Sequence, residues 1–586
     1  MTERLSGGDM LIRALQDEGV EYIFGYPGGA ALHIYDAIFR QQKVEHVLVR
    51  HEQAATHMAD GYARATGRAG VVMVTSGPGA TNAITGIATA YMDSVPMVVI
   101  SGQVSRPQIG TDAFQETDMV GVSRPVVKHS FQVRSAEEIP QIVKKAFHIA
   151  QSGRPGPVVI DVPKDTTDPN ELEEYHYPGE VKMRSYNPAQ RGNGRQIRKA
   201  AKTLLQAQRP VIYGGGGIVL GNGSEPFRRL AERLGAPVTN TLMGLGSFPG
   251  SSPQCLGMLG MHGTYEANMA MHHADVILAV GARFDDRVTN DPSKFCPQAT
   301  IIHVDVDPAS ISKIIEAQIP IVGQVLQVLE ALDQELSRLL EEKPELQNEA
   351  ALKAWRGQCA DWRSAHGLNH DLQPAAGDPI PPQYAVQCLY KATSGQAYVS
   401  SDVGQHQMFA AQYYHFDEPR RWINSGGLGT MGFGLPAAMG VQFAHPDAVV
   451  ACVTGEGSFM MNMQELSTCL QYGLPIKILN LNNQALGMVK QWQDMQYGGR
   501  HSSSTYSDSL PDFKTLAESF GHVGFKVERA GDLPVVLEET FSTALKSKLV
   551  LVDAWVDPSE HVYPMAIKGG SMESMVLSKS LSVGIS

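Results

Sequence analysis

The sequence predicts an α/β protein made of three doubly wound parallel-sheet domains. Its 586 residues exceed what one core holds and suggest three or four domains at about 150 residues each. Short apolar runs ending in Gly, Asn or Ser alternate with stretches of helical periodicity, the pattern of strand–helix–strand units with parallel strands. Three such blocks follow one another, parted by polar, Pro-containing stretches, and no sequence repeat relates them.

The first block is expected over residues 1–185. Ser6 and Asp9 can cap a helix over about 8–18. A strand over 20–24 runs into the turn Gly25-Tyr26-Pro27-Gly28-Gly29, and further strands are expected at 44–49, 71–75, 97–100 and 158–162. Residues 165–195 break the alternation with Pro, Gly and acidic residues and read as a linker. The second block, 196–345, carries expected strands at 210–213, 237–240, 276–280 and 301–306. The third, 375–586, opens with Asp378-Pro379-Ile380-Pro381-Pro382 and carries expected strands at 397–401, 449–454, 476–481 and 549–556.

Composition excludes several classes. A hydrophobic fraction of 43% with 18% charged residues is that of a globular protein. The net charge of −12 and the absence of a Lys/Arg run argue against nucleic acid as a partner. Apolar runs such as 276–280 have strand length, far from the roughly 18 residues a membrane span needs. Glu3, Arg4 and Asp9 interrupt any apolar signal core at the start, and six scattered cysteines without a CxxC pair read as buried apolar residues in a reducing compartment, so a cytoplasmic chain is expected.

The chemistry concentrates between Gly455 and Asn483. Gly455-Glu456-Gly457 follows the apolar run 449–453, and 24 residues separate it from Asn482-Asn483. Met463, Leu466 and Leu470 are expected on one face of an intervening helix, and 475–481 reads as the next strand. Both ends of the motif therefore fall at the carboxyl ends of strands, where open α/β sheets place ligands. A helix N-terminus after Ser458 would offer N–H groups to a phosphate, with Glu456 and the Asn483 amide oxygen beside it for a magnesium ion. The arrangement resembles the thiamine-diphosphate (ThDP) motif, GDG followed by NN. It departs from that motif at Glu456, where relatives usually carry Asp, which moves the carboxylate outward by one methylene.

A ThDP enzyme also needs a carboxylate that hydrogen-bonds the cofactor's aminopyrimidine from an apolar setting, where burial favours its protonated form. Glu52 fits in position, after the strand over 44–49 and at the start of a small-residue helix. By itself it is also an ordinary dipole partner in a first helical turn. The words Gly25–Ala30, Arg50–Ala55, Ser76–Asn82, Gly110–Glu116, Gly281–Thr289 and Ser425–Gly432, in order from about residue 5 to 575, resemble the large catalytic subunits of the acetolactate synthase (acetohydroxyacid synthase) family.

That resemblance implies a three-domain ThDP enzyme of the biosynthetic, FAD-containing type. It would decarboxylate pyruvate and join the two-carbon unit to pyruvate or 2-ketobutyrate, giving 2-acetolactate or 2-aceto-2-hydroxybutyrate for branched-chain amino acids. Glu52 would be the activating glutamate, with Gly28, Gly29 and Gln115 at the reaction centre and Met431 as the wedge that bends ThDP. Val403, Gly404, Gln405, His406, Gly457, Ser458 and Met488 would meet ThDP, and Glu456, Asn483 and the Ala485 carbonyl would hold Mg2+. Arg287 would grip the acceptor's carboxylate, although an Arg in Asp285-Asp286-Arg287 is also a common surface ion pair. Trp492 would favour the longer acceptor, and Phe114 and Lys164 would line the substrate channel with Met488.

FAD would meet Arg154, Gly214, Gly215, Gly216, Leu242, Met243, Met261, His262, Gly263, Arg283 and Asp305. Gln324 stands where relatives often have Asp. The family builds each site across two subunits, so a homodimer is the minimum, a tetramer the further option, and a separate regulatory small subunit an expected partner. A pyruvate oxidase shares both cofactors but uses the flavin as electron acceptor, and Arg287 and Trp492 speak against it. A glyoxylate carboligase would lack Glu52, and a scaffold protein disabled at Glu456 is the non-enzymatic alternative.

Overall fold

The computed structural model describes residues 3–583 except 182 and 507, so the outermost positions of the expected first and third domains lie outside the described residues. Each block forms one six-stranded, wholly parallel sheet flanked by helices. The first sheet runs, in spatial order, Glu45–Leu48, Tyr22–Gly25, Gly70–Val74, Met97–Gln103, Pro157–Pro163, His129–Gln132. The third runs Trp422–Asn424, Tyr398–Ser401, Val450–Thr454, Lys477–Asn482, Val550–Trp555, Val523–Val527. Numbered along the chain within each block, both sheets have the order 2-1-3-4-6-5, so the fold repeats where the sequence does not. The middle sheet differs. Its order is Cys255–Met258, Val238–Asn240, Pro210–Gly214, Val276–Val280, Thr300–Asp305, Ile319–Val322, or 3-2-1-4-5-6, the dinucleotide-binding order.

Central strands such as Val276–Val280 and Val450–Thr454 are buried along their whole length, as expected of strands covered on both faces. Ser6 caps the first helix, Gly7–Asp17, by accepting the Asp9 N–H. The expected linker is more than a connector, because Leu172–Glu174 within it pairs antiparallel with Arg4–Ser6. The helix expected after Ser458 is broken up. Glu456–Phe459 forms one turn that begins at Glu456, Met463–Glu465 is a 3-10 turn, and Leu466–Tyr472 is the helix proper. Leu466 is buried while Leu470 is 55% exposed, so these residues do not share one buried face.

The first and third blocks are joined through two helices, Glu52–Thr66 and Gly434–Ala444, whose backbones approach closely. A Cβ on Gly61 would stand 2.1 Å from the Ala437 carbonyl oxygen, and one on Gly440 would stand 1.9 Å from that of Met58. Glycine is required here by space. Gly440→Ala is expected to push the helices apart at a cost of about 1–3 kcal/mol or more. A thermal melt should show a lowered midpoint, and a wild-type midpoint would count against this contact.

Candidate active site

The cleft at the carboxyl ends of the middle and third sheets has a volume of about 590 Å³. It brings together Val403, Gly404, Gln405, His406, Met431, Glu456, Gly457, Ser458, Asn483, Ala485, Met488 and Trp492 with Arg154, Gly216, Leu242, Met243, Met261, His262, Arg283, Arg287 and Asp305. Gly214, Gly215 and Gly263 lie behind its wall. A Cβ on Gly215 would stand 2.2 Å from the Gly281 oxygen, and one on Gly263 would stand 2.5 Å from the Leu259 carbonyl carbon. Gln324 lines the cleft and precedes the helix Val325–Glu342, so an amide stands where an acid is usual.

The donor set suits a hard cation. Glu456 Oε1 and Asn483 Oδ1 accept the same Ala485 N–H, at 2.8 and 3.1 Å, so two side-chain oxygens meet at one peptide. One carboxylate, one amide oxygen and phosphate oxygens form a set that magnesium accepts. Burial lifts the Glu456 carboxyl to about 7, and among the described residues the groups opposing it are backbone N–H groups. The longer side chain thus keeps its oxygen at the Asn483 amide.

Glycines on two strand ends make room for His406. A Cβ on Gly404 (φ +152°) would stand 2.8 Å from the imidazole Cε1, and one on Gly455 would stand 2.7 Å from Nδ1. The ring is buried, which lowers its pKa to about 3, and among the described residues its Nε2 has no hydrogen-bond partner. That orphaned polar atom in the cleft fits a phosphorylated ligand. On the middle sheet, Gly215 and Gly217 follow the strand Pro210–Gly214 and pack on Gly281 (φ +58°), with a Cβ on Gly217 only 2.7 Å from the Gly281 Cα. His262 also has a buried Nδ1 without a hydrogen-bond partner among the described residues, and burial raises the Asp305 carboxyl to about 6. These groups at the switch point of a 3-2-1-4-5-6 sheet fit a dinucleotide.

Met431 sits between Gly429 (φ +71°) and Gly432 (φ +86°). Two aspartates that sequence reasoning missed shape this loop. Asp402 Oδ1 accepts the N–H groups of Gly432 and Phe433 at 2.8 and 3.2 Å. Asp93 accepts those of Gly426 and Gly427 at 3.0 and 2.7 Å, and pairs with Arg64 at 2.8 Å. The signal for Asp402 was legible, a lone acid at a strand end beside Val403-Gly404.

Glu52, Gly28, Gly29 and Gln115 are not among the described residues that line this cleft. Glu52, Gly28 and Gln115 gather elsewhere, at the carboxyl end of the first sheet, around Thr75 and the turn from Gly77 to Gly79. A Cβ on Gly28 would meet Thr75 Cγ2 at 2.4 Å, one on Gly79 would lie 3.4 Å from Glu52 Oε1, and one on Gly77 would lie 2.8 Å from the Gln115 oxygen. Gly29 has open space around it. Glu52 is the first residue of its helix, and its Oε2 accepts the Asn82 amide at 3.0 Å. It is half-buried among Thr75, Gly79 and Asn82, so the apolar setting expected for it is not what this chain alone provides. Phe114 is 88% exposed, and Arg287, whose side chain is 66% exposed, lies against Met261 with Nη1 3.6 Å from Sδ.

Comparison with known proteins agrees with this layout. Residues 5–122 match the family described as thiamine pyrophosphate enzyme, N-terminal TPP binding domain, 197–332 its central domain, and 402–554 its C-terminal TPP binding domain. The chain is 59% identical over 577 residues to the acetolactate synthase large subunit of Haemophilus influenzae, covering 98% of this chain and 99% of that one. It is 58% identical over 578 residues to the acetolactate synthase isozyme 3 large subunit of Escherichia coli, covering 99% of each. An acetolactate synthase of Mycobacterium leprae is 44% identical over 582 residues, covering 99% and 91%. No helix among the described residues is long and apolar enough to cross a membrane. At this identity over nearly the full length, with all three domains in order, the chain belongs to the acetolactate synthase large-subunit family of ThDP-dependent enzymes.

Proposed function

We propose that this chain decarboxylates pyruvate and joins the two-carbon unit to a second 2-keto acid. Pyruvate as acceptor gives 2-acetolactate, and 2-ketobutyrate gives 2-aceto-2-hydroxybutyrate, both leading to branched-chain amino acids. The observation that carries the reading is the meeting of Glu456 and Asn483 at one amide, in the cleft that also holds Met431, Arg287 and Trp492.

When bound, ThDP supplies a nucleophilic carbon that adds to a carbonyl and accepts the electron pair left by CO2. The protein's part is binding, orientation and proton placement. Glu456, Asn483 and the Ala485 carbonyl hold Mg2+, while Gln405, His406, Gly457 and Ser458 face the diphosphate. Met431 would brace the cofactor from between Gly429 and Gly432. Glu52 holds a proton for the pyrimidine ring. Arg287 offers a planar guanidinium to the acceptor's carboxylate. Trp492 adds an apolar wall that rewards one extra methylene by about 1–3 kcal/mol at most. Arg154, Met243, His262, Arg283 and Asp305 receive FAD, which takes no net redox part.

Glu52 sits outside the cleft that holds Glu456, which supports a homodimer in which each complete site draws on two chains. The relatives' designation as large subunits supports a small regulatory partner, and the reducing environment suited to the six free, buried cysteines supports the cytoplasm. The test uses purified chain with pyruvate, Mg2+, ThDP and FAD. Acid decarboxylation of the product should yield acetoin, exhaustive chelation should reduce this to background, and added Mg2+ should restore it. Undiminished product after chelation would overturn the metal assignment. Flavin reduction keeping pace with turnover would point to an oxidase instead.

A further inference from the structure

A chain of buried amides runs from the cation ligand to the C-terminal segment. Asn483 Nδ2 donates to Gln405 Oε1 at 3.1 Å, and Gln405 Nε2 donates to Gln491 Oε1 at 2.9 Å and to the Glu560 carbonyl at 3.2 Å. Gln491 then pairs with the backbone of Val562 in both directions. Its Nε2 donates to the Val562 carbonyl at 3.2 Å, and its Oε1 accepts the Val562 N–H at 2.9 Å. Gln491 is 0% exposed. It lies on the helix Gly487–Gln496, which also carries Met488 and Trp492 into the cleft. Gly487 opens that helix without a side chain, because a Cβ there would stand 2.2 Å from Gln405 Oε1 and 2.4 Å from Asn483 Nδ2.

A side-chain amide can rotate by half a turn at little steric cost, exchanging donor for acceptor. Peptide groups cannot, so Val562 dictates which end of Gln491 is oxygen. With that oxygen fixed, Gln405 presents its NH2 to Gln491 and to the Glu560 carbonyl, which calls for the same end, and its oxygen to Asn483. Asn483 must then turn its NH2 to Gln405, leaving Oδ1 beside Glu456 Oε1 at the Ala485 amide. A flip of any one amide would set oxygen against oxygen in a buried site, where an unmade hydrogen bond costs most.

We propose that Gln491 is a positioning residue for the metal site: through Gln405 it holds the Asn483 oxygen, rather than its NH2, toward the cation, and it ties that orientation to the docking of the segment around Val562. The proposal rests on the metal assignment made above. It follows that the helix carrying Trp492 and the C-terminal segment are seated by the same contact that orients a cation ligand.

The test measures Mn2+ affinity by electron paramagnetic resonance on the full chain with saturating ThDP, alongside activity. Gln491→Leu removes the orienting group and should weaken Mn2+ binding roughly 10–100-fold, the usual cost of losing a group that orients a metal ligand. Its kcat should recover largely at saturating Mn2+. Gln491→Glu keeps an acceptor for both the Val562 N–H and the Gln405 NH2, and should bind Mn2+ close to wild type although it loses the bond to the Val562 carbonyl. A purely structural role would lower the melting midpoint of both variants and leave Mn2+ affinity alone. Unchanged affinity in Gln491→Leu, or equal losses in both variants, overturns the relay. Glu456→Ala separates the two levels: if it too leaves Mn2+ affinity unchanged, the metal assignment fails, whereas a loss there with none in Gln491→Leu defeats only the relay.

Discussion

Glu52→Gln should retain ThDP binding and lose activity by about 10²–10⁴-fold, the range contributed by a positioned proton-transfer group. The substitution keeps side-chain length and the ability to accept the Asn82 amide, which now lies 3.0 Å from Oε2. It removes only the capacity to take up and release a proton. Local packing is undisturbed, because Glu52 begins the helix Glu52–Thr66 and Gly79 leaves space against Oε1. The measurement pairs acetolactate formation at saturating ThDP with ThDP affinity from quenching of intrinsic fluorescence. Wild-type turnover would remove Glu52 from the mechanism. Loss of ThDP binding together with turnover would mean that Glu52 serves to anchor the cofactor rather than to hold its proton.

Which parts of this architecture can be read from sequence follows from how each strand is buried. Strands covered on both faces and both flanks show as unbroken apolar runs, and the expected 276–280 coincides with the observed Val276–Val280. In the three six-stranded sheets, the strands that sequence reading missed are His129–Gln132, Cys255–Met258, Ile319–Val322, Trp422–Asn424 and Val523–Val527, all of them at sheet edges. An edge strand lacks one neighbour and its residues need not be uniformly apolar, so its signal is short and mixed. The antiparallel strands Met565–Ala566, Met575–Ser578 and Leu581–Val583 at the C-terminal end escaped for the same reason of brevity.

The candidate site was legible where chemistry demands rare local residues. Gly404, Gly455 and Gly457 mark places where a Cβ would strike His406 or Tyr506, and Glu456 and Asn483 are polar residues at the ends of buried strands. What could not be read are the groups that orient these residues. Asp93 acts on Gly426 and Gly427 from more than 300 positions away, and Gln491 acts on Val562 across 71. Such pairings leave no periodicity and no spacing rule, since only the fold brings the partners together. The middle sheet's distinct strand order was equally hidden, because order depends on where crossovers land and not on the composition of any strand.

The two clusters separated in one chain yield the second large effect. Glu456→Ala alone should abolish activity by removing the carboxylate that meets Asn483 at the Ala485 amide, and Glu52→Gln alone should be nearly inactive. Co-expressed in equal amounts, the two variants should recover roughly a quarter of wild-type activity, as expected for random pairing in a two-fold symmetric dimer. Half of the dimers would then be mixed. In each mixed dimer one site receives Glu52 from the Glu456→Ala chain and Glu456 from the Glu52→Gln chain and is intact, while the other site carries both defects. If both carboxylates served a site within one chain, every site in the mixed dimer would lack one of them and no activity would return. The assay is acetoin formation after acid treatment, with the two chains separately tagged so that mixed dimers can be isolated. Purified mixed dimers should then show about half of wild-type activity, and a background value in that fraction would place Glu52 and Glu456 in the same subunit's site.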